Sequence, residues 1–179
     1  MSTLPSASGQ AGPAYRYYDA CQGHWQSVMS ASVTDFWALI SAMGWLNALS
    51  VLMMAYWPSL LGRIRLETTV DYEPNEPVYH TTRVYWLGLA MMSSEEWVTI
   101  GPDGTHFEVR GKSRIAMMPW RSLVMEGQGY VDTTGVRATY HINWLGAQMT
   151  QTTERQAEGC ILRQEAPGFS AVQELTAKV

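Results

Sequence analysis

The sequence predicts a mainly β protein, in which a closed antiparallel barrel of eight to ten strands carries a two-helix lid between its first and second strands. Three observations predict this fold. From Arg63 onward, short segments with strand-like composition alternate with turn signals such as Gly101-Pro-Asp-Gly104. Apolar residues recur at every second position in many of these segments, as on the inner face of a sheet. An uncharged segment, Phe36 to Leu61, precedes them and is long enough for two helices.

The N-terminal residues, 1–13, are largely Ser, Pro, Gly and Ala, and we expect a disordered leader there. They have neither the basic n-region nor the apolar segment of a secretory signal, so a cytoplasmic protein is expected. The remaining residues, 14–179, suffice for a single barrel domain with a substantial core. The first strand of this domain is predicted near residues 24–33.

The uncharged segment predicts the lid, at about residues 35–61. Asp35 is a good helix N-cap, Gly44 indicates a break between two helices, and Pro58 would kink or end the second. The same segment is long enough to cross a membrane, which is the alternative. Polar residues inside it argue against a span, and a span would also separate the first strand from its sheet. Contact between the outer face of the lid and a membrane is a weaker alternative.

Alternation of polar and apolar residues sets one register for five consecutive strands. In the segment 107–115 the charged residues have even numbers, so odd-numbered residues face inward. Turns at 132–135 and 145–146 carry this parity onward and bring Tyr140 inside, opposite Gly127. Eight to ten such strands normally close on themselves to remove their edges. The inner face then carries candidate ligand-contacting residues, namely Met125, Trp144, Met149, Gln151 and Gln164.

The hairpin with its turn at residues 87–88 supplies the candidate acid–base residues. This turn pairs His80 with Glu95. The same face would carry two further ligand contacts, Met91 and Trp97. If this face is the inner one, His80 and Glu95 suit proton transfer near neutral pH, and Tyr140 would orient the bound molecule. Because neither strand alternates cleanly, a His–Glu pair on the outer surface is the alternative.

A short motif, Gly23-His24-Trp25, opens the first predicted strand and resembles the start of the first strand in calycins, the group of lipocalins and fatty-acid-binding proteins. The order of one strand, a helical pair and a run of antiparallel strands is similar to that of fatty-acid-binding proteins. The resemblance implies that Trp25 closes the barrel floor beside Arg155 or Arg163, and that it borders the ligand cavity. The Arg-x-Tyr pair that holds a carboxylate in those proteins is missing near the C-terminus of this sequence.

Composition narrows the functional classes. A net charge of −4 gives no electrostatic reason to bind nucleic acid. Eleven Met and eight Trp suit a cavity for an irregular apolar molecule, although plain core packing is their commoner use. Cys21 and Cys160 form no metal-binding pattern, so no metal and no cofactor is predicted. The motifs of serine hydrolases, P-loop proteins, dinucleotide-binding enzymes and zinc proteases are missing from the sequence.

Two functions fit these observations. The barrel resembles small lipocalin-like cyclases of polyketide pathways, which implies a cyclase or isomerase, including the Diels–Alder type, acting on a largely apolar natural-product intermediate. Such chemistry needs mainly shape, desolvation and a few hydrogen bonds. The alternative is a carrier that binds an apolar small molecule without changing it. A haem-binding barrel with His80 as the ligand is a minor third alternative, and the sequence does not predict an oligomeric state.

Overall fold

Ten strands and three helices make up the part of the chain that the computed structural model describes, residues 12–61, 64–73, 76–86, 88–116 and 118–178. The helices are α1 (Pro13–Cys21), α2 (Phe36–Met43) and α3 (Trp45–Leu61). The strands are β1 (Gly23–Val33), β2 (Ile64–Asp71), β3 (Val78–Trp86), β4 (Leu89–Ile100), β5 (His106–Ile115), β6 (Met118–Val131), β7 (Arg137–Trp144), β8 (Ala147–Gln156), β9 (Gly159–Ala166) and β10 (Phe169–Ala177).

The sheet closes because β1 pairs with strands from both ends of the chain. It runs antiparallel to β2 from Gly23 to Val28, and antiparallel to β10 from Trp25 to Val33. Each of the other described strands pairs with its neighbours in sequence, so the ten strands form one closed ring. The predicted closed antiparallel barrel, with helices between its first and second strands, is therefore confirmed.

Side chains alternate between the barrel interior and the solvent along the strands. On β5, Phe107 and Val109 are buried, whereas Glu108 and Arg110 are exposed. The alternation predicted from the sequence continues through β6 to β10, where the inward positions carry most of the buried side chains. Because the period of a strand is two, this pattern also decides which residues a molecule inside the barrel could touch.

The helical pair α2 and α3 covers one end of the barrel, which we call the lid end. The Asp35 carboxylate caps α2 by accepting a hydrogen bond from the Ala38 N–H at 3.0 Å. Gly44, with φ of 80°, ends α2 and allows α3 to start at once in a new direction. Leu39 and Val51 are fully buried against the neighbouring strands, and Phe169 of β10 belongs to the same apolar cluster.

The outer face of this lid is apolar and exposed. Its exposed large apolar side chains include Trp37, Trp45, Leu46, Leu49, Met53 and Tyr56. None of the helices in the described ranges is both long and apolar enough to cross a membrane. Contact of the lid with a membrane surface, the weaker alternative, stays untested.

Helix α1 closes the opposite end of the barrel, which we call the base. This helix was not predicted by the sequence analysis. Its buried residues, Ala14, Tyr17, Tyr18 and Cys21, have the spacing of one helical face, and they join the cluster of inward-facing side chains. The Ala14 N–H donates a hydrogen bond of 2.9 Å to the carbonyl of Gly104, in the turn between β4 and β5. Pro13 therefore belongs to a helix, while residues 1–11 of the predicted leader lie outside the described residues.

Trp25 lies at the base, near the start of β1 and shortly after the end of α1. Its indole N–H donates a hydrogen bond of 2.8 Å to the Cys21 carbonyl, which satisfies a carbonyl at the end of α1. The ring is partly buried and packs against the core cluster. Arg155 lines the same small cavity as Trp25, whereas Arg163 lies on the outer surface near Glu154. Of the two arginines that the resemblance implied, Arg155 is thus the one beside Trp25.

Replacing Trp25 should therefore destabilise the protein. We expect Trp25→Ala to lower the free energy of unfolding by about 3 kcal/mol, because it removes core contacts and leaves a cavity. Trp25→Phe keeps much of the packing and should cost about 1 kcal/mol, mainly for the lost hydrogen bond. Urea unfolding measures both values. The exposed Trp37 is the matched control, and Trp37→Ala should change stability by under about 0.5 kcal/mol. An unchanged midpoint for Trp25→Ala would refute this placement.

Candidate functional site

The base of the barrel interior carries a group of buried polar side chains that we call the floor cluster, Tyr18, His80, Glu96 and Tyr140. Tyr18 reaches in from α1, and its hydroxyl lies 3.1 Å from the Tyr140 hydroxyl on β7. The Tyr18 ring also lies 5.8 Å from the imidazole of His80 on β3, measured between ring centroids. Helix α1 therefore supplies one side of this cluster.

Glu96 stands opposite His80 on the neighbouring strand β4. On its other side it faces Gly111 of β5, and a Cβ built on Gly111 would lie 3.0 Å from the Glu96 Cγ and 3.1 Å from the Met125 Cε. The missing side chain at Gly111 thus leaves room for Glu96 to lie along the inner wall. The inward acid–base pair of this hairpin is His80 with Glu96.

The predicted pairing of His80 with Glu95 is wrong. Near the turn the predicted register holds, since Tyr85 pairs with Ala90, but Val84 pairs with Met92 instead of Met91. Met91 is therefore the extra residue of a β-bulge, and every pair beyond it is shifted by one. A one-residue shift exchanges the two faces of a strand, so Glu95 and its neighbours change sides.

Glu95 and Trp97 consequently lie on the outer surface. Glu95 forms an ion pair of 3.1 Å with Lys112 on β5, and the Lys112 ammonium lies 5.3 Å from the centre of the Trp97 ring. Tyr79 packs beside Trp97, with 5.5 Å between ring centroids. Trp97 cannot line the interior from this position, and Glu95 cannot exchange a proton with a molecule inside the barrel.

Burial sets the protonation states of the floor cluster. It lowers the pKa of His80 to about 4, so this imidazole is neutral at neutral pH. Burial also raises the pKa of Glu96 to about 7, against the opposing effect of a hydrogen bond with Ser94. The pKa values of Tyr18 and Tyr140 are raised by burial as well, so both phenols keep their protons. Glu96 is the member of the cluster that can gain or lose a proton near neutral pH.

The His80 Nε2 atom is buried and has no hydrogen-bond partner among the described residues. Buried polar atoms are nearly always paired, because an unpaired one costs about 1–3 kcal/mol. His80 and Glu96 are enclosed by protein but keep part of their surface accessible, and by their inward register this surface faces the barrel interior. The floor cluster therefore combines a buried polar atom that lacks a partner with polar side chains that are partly accessible from the interior.

A row of three amides, the amide ladder of Gln151, Gln164 and Gln173, crosses the inner wall formed by β8, β9 and β10. The Gln164 amide N–H₂ donates to the Gln151 carbonyl oxygen at 3.0 Å, and the Gln173 amide donates to Gln164 at 3.5 Å. Gln151 and Gln164 are both inward, as the sequence predicts, and each keeps some accessible surface. The ladder is uncharged, and it can both donate and accept hydrogen bonds.

The remaining predicted ligand contacts lie at different depths of the barrel. Met125 is buried beside Gly111 and Glu96, near the floor cluster. Trp144 lies under the lid, 6.1 Å from the Phe169 ring, and Met149 is buried in the main core. Met91 sits at the bulge of β4. Their roles in binding stay predictions.

Tyr140 is inward, as predicted, but its partner across the β6–β7 pair is Gly129, and Gly127 instead faces Ile142. The turn between these strands is longer than expected because Asp132 organises it. The Asp132 carboxylate accepts hydrogen bonds from the N–H groups of Val136 and Arg137, both at 3.0 Å. The resulting shift of two residues preserves the face on which Tyr140 lies.

Cys21 and Cys160 are both buried and free. A hydrogen bond between the two thiols, together with burial, raises the pKa of Cys21. They connect α1 to β9 at the base. No cluster of His, Cys, Asp and Glu suited to a metal ion occurs within the described ranges.

Three important residues escaped the sequence analysis, and the sequence contains a signal for each. Tyr17 and Tyr18 belong to a helical apolar face that starts at Ala14, directly after Pro13, a residue favoured at the first position of a helix. Glu96 has the same parity as Val98 and Ile100 farther along β4, which indicates an inward position. That signal conflicts with the register set by the turn, and only a bulge reconciles the two.

Comparisons with known proteins find similarity in structure alone. No protein-family model matches the sequence, and no curated protein matches it significantly. A fatty acid transporter named REP1-NXSQ shares 7% identity over 90% of this chain and 98% of its own, with a TM-score of 0.46. Fatty-acid-binding protein 1 of Echinococcus granulosus shares 7% over 90% and 99%, with a TM-score of 0.47. Secretory abundant heat soluble protein 4 of Ramazzottius varieornatus shares 11% over 88% and 94%, with a TM-score of 0.48.

The described part of the chain has the barrel architecture that the sequence analysis expected. It has a closed ring of ten antiparallel strands, with its helical pair inserted between the first and second strands. Such barrels are closed sheets whose interior can hold one small molecule. The class defined by the fold is therefore a calycin-like barrel.

The raised pKa of Glu96 predicts a pH-dependent stability. A carboxyl whose pKa rises from 4.5 in the unfolded chain to about 7 in the folded protein stabilises the fold fully below the lower value, and this contribution is lost as the pH rises through the upper one. Glu96→Gln removes this loss. We expect the variant to gain about 3 kcal/mol over the wild type between about pH 5 and pH 8.

Urea unfolding at a series of pH values measures this difference. His80 contributes in the opposite direction, because its lowered pKa makes stability fall as the pH drops from 6.5 towards 4, but this contribution is common to both proteins. Glu95→Gln is the control, since it changes a solvent-exposed ion pair worth under about 1 kcal/mol. Parallel pH profiles for the wild type and Glu96→Gln would contradict the buried position of Glu96.

Proposed function

We propose that the protein binds a largely apolar small molecule inside the barrel, between the lid and the floor cluster. The observation that carries this proposal is the accessible surface of inward-facing side chains in a barrel whose two ends are covered by helices. Met29, Thr82, Met92, Leu123 and Gln164, from five different strands, all point inward and keep part of their surface accessible. A fully packed core would bury such residues.

The chemistry of these side chains supports an apolar molecule with at least one polar group. Met and Leu side chains adapt to an irregular apolar shape at the lid end of the interior. Hydroxyls and amides form a polar zone farther in, where the hydroxyl oxygens of Thr68 and Thr82 lie 3.2 Å apart and the amide ladder crosses the wall formed by β8, β9 and β10. A few placed polar groups in an apolar cavity orient a bound molecule without a charged clamp.

A neutral solvatochromic dye such as Nile red tests this proposal. We expect saturable binding with enhanced emission, because the interior is apolar, and little change between low and moderate salt. Leu123→Trp should weaken binding by about tenfold or more, because the larger side chain fills space inside the barrel. Fluorescence titration measures both affinities.

The matched control is the next residue along the same strand. Val124 is 68% exposed on the outer face, so Val124→Trp adds the same ring outside the barrel and should leave the affinity unchanged. Melting temperatures verify that both variants are folded. If Leu123→Trp binds the dye as tightly as the wild type does, the dye lies elsewhere, and the interior site is refuted.

We propose a cofactor-independent isomerase or cyclase as a second candidate, and the inward pair of His80 with Glu96 is the observation that favours it. A carrier needs no acid–base group in its interior. Because its pKa is near 7, Glu96 can take a proton from carbon beside a ligand carbonyl and return it elsewhere. The Tyr18 and Tyr140 hydroxyls could donate hydrogen bonds to the carbonyl oxygen as negative charge develops. A Diels–Alder-type cyclisation would use the same donors without the proton transfer.

Deuterium exchange tests the proton transfer. An apolar cyclic ketone such as a decalone, incubated with the protein in D₂O, should incorporate deuterium next to its carbonyl, as followed by NMR. We expect Glu96→Gln to slow this exchange by about 100-fold, which is typical for the loss of a general base. Glu95→Gln should exchange at the wild-type rate. Equal rates for the wild type and Glu96→Gln would exclude Glu96 as the base and leave binding without proton transfer.

A further inference from the structure

We infer that the interior selects apolar molecules that carry a basic nitrogen, and that Glu96 receives the resulting ammonium group while carboxylates are excluded. This inference rests on the proposed binding of a small molecule inside the barrel and adds the chemical class of that molecule.

Glu96 is held inward by its place in the barrel wall. His80 stands on one side of it and Gly111 on the other, and its Cγ occupies the space that a side chain at residue 111 would need. The bulge at Met91 sets this orientation for the whole base half of β4. Glu96 therefore cannot turn outward to reach the ion pair of Lys112 with Glu95 without a shift of the register.

No cation in the described part of the chain faces this carboxyl group. The titratable groups that neighbour it are His80 from β3 and Tyr140 from β7, and Tyr18 from α1 contacts both of these. All three are neutral at neutral pH. Its own strand offers the Ser94 hydroxyl, and β5 offers Gly111. The basic side chains nearby on β3 and β5, Arg83, Arg110, Lys112 and Arg114, have the outward parity of their strands. Arg155 faces inward but lies at the base beside Trp25.

A buried carboxylate without a cationic partner is unfavourable, because its hydration is lost and the hydrogen bond with Ser94 replaces only part of that hydration. A bound ammonium group compensates for the lost hydration with an ion pair and with charge-assisted hydrogen bonds. A polar atom without a partner lies across the same strand pair, since the buried His80 Nε2 has no hydrogen-bond partner among the described residues. The floor cluster thus lacks a cationic group, and a ligand with a protonated amine supplies one.

A ligand that carries a carboxylate is repelled by Glu96, whereas an ammonium group is attracted. Two carboxylates in one low-dielectric interior repel each other, and the uncharged amide ladder cannot compensate for this repulsion. An alcohol is neutral and should bind with intermediate affinity. Head-group charge, rather than chain length, is therefore expected to determine the order of affinity.

Three ligands with the same chain, dodecylamine, dodecanol and dodecanoic acid, test this inference by displacement of Nile red. At about pH 8 the amine is protonated, the acid is ionised and Glu96 is mostly ionised. We expect the amine to bind at least about tenfold more tightly than the acid, with the alcohol between them. The affinity for the amine should rise with pH through about 7, and that for the alcohol should stay level.

Glu96→Gln keeps the shape of the side chain and removes its charge. It should weaken binding of the amine by about tenfold and bring the amine and the acid to similar affinities, whereas Glu95→Gln should leave all three affinities unchanged. Tighter binding of the acid than of the amine by the wild type would overturn the inference, as would an amine-to-acid ratio that Glu96→Gln does not change. Failure of Nile red to bind at all would instead overturn the proposed function, and this inference with it.

Discussion

The pairing of β1 with both β2 and β10 is the interaction on which the rest of the structure depends. It joins the first strand to the last, so that the described strands leave no sheet edge unpaired. Closure also gives every strand an inside and an outside, and the two-residue period of the backbone then assigns each side chain to one of them. The lid, the base helix and the polar interior are all arranged around this ring.

The two ends of the ring are closed by helices in different ways. At the lid end, α2 and α3 follow β1 and pack on it and on the neighbouring strands with Leu39 and Val51. At the base, α1 precedes β1 and inserts Tyr17 and Tyr18 into the main core. Because α1 and the lid both adjoin β1, one strand links both closures. At the base, the helix also contributes hydroxyl groups and the Cys21 thiol to contacts with the barrel wall.

The interior combines an apolar wall with polar groups that are not all satisfied. The amides of β8 to β10 satisfy one another in part, whereas Glu96 has no cation facing it and His80 Nε2 has no partner in the described part of the chain. Burial keeps His80 neutral and keeps Glu96 close to its point of half-protonation at neutral pH. An arrangement of this kind costs stability, which is the usual condition of groups retained for binding or chemistry.

The sequence by itself determined the parts of this protein that depend on local rules. Strand alternation placed Tyr140, Gln151 and Gln164 inside, and the capping residue Asp35 with the break at Gly44 located the lid helices, because periodicity and capping act within a few residues. Even a turn that is two residues longer than predicted left those faces unchanged. Only the tertiary structure decided that Glu96, and not Glu95, faces the interior. A single bulge at Met91 reverses the faces of β4, and the bulge is stabilised by pairing with β3 and β5, strands whose contribution a local pattern cannot reveal.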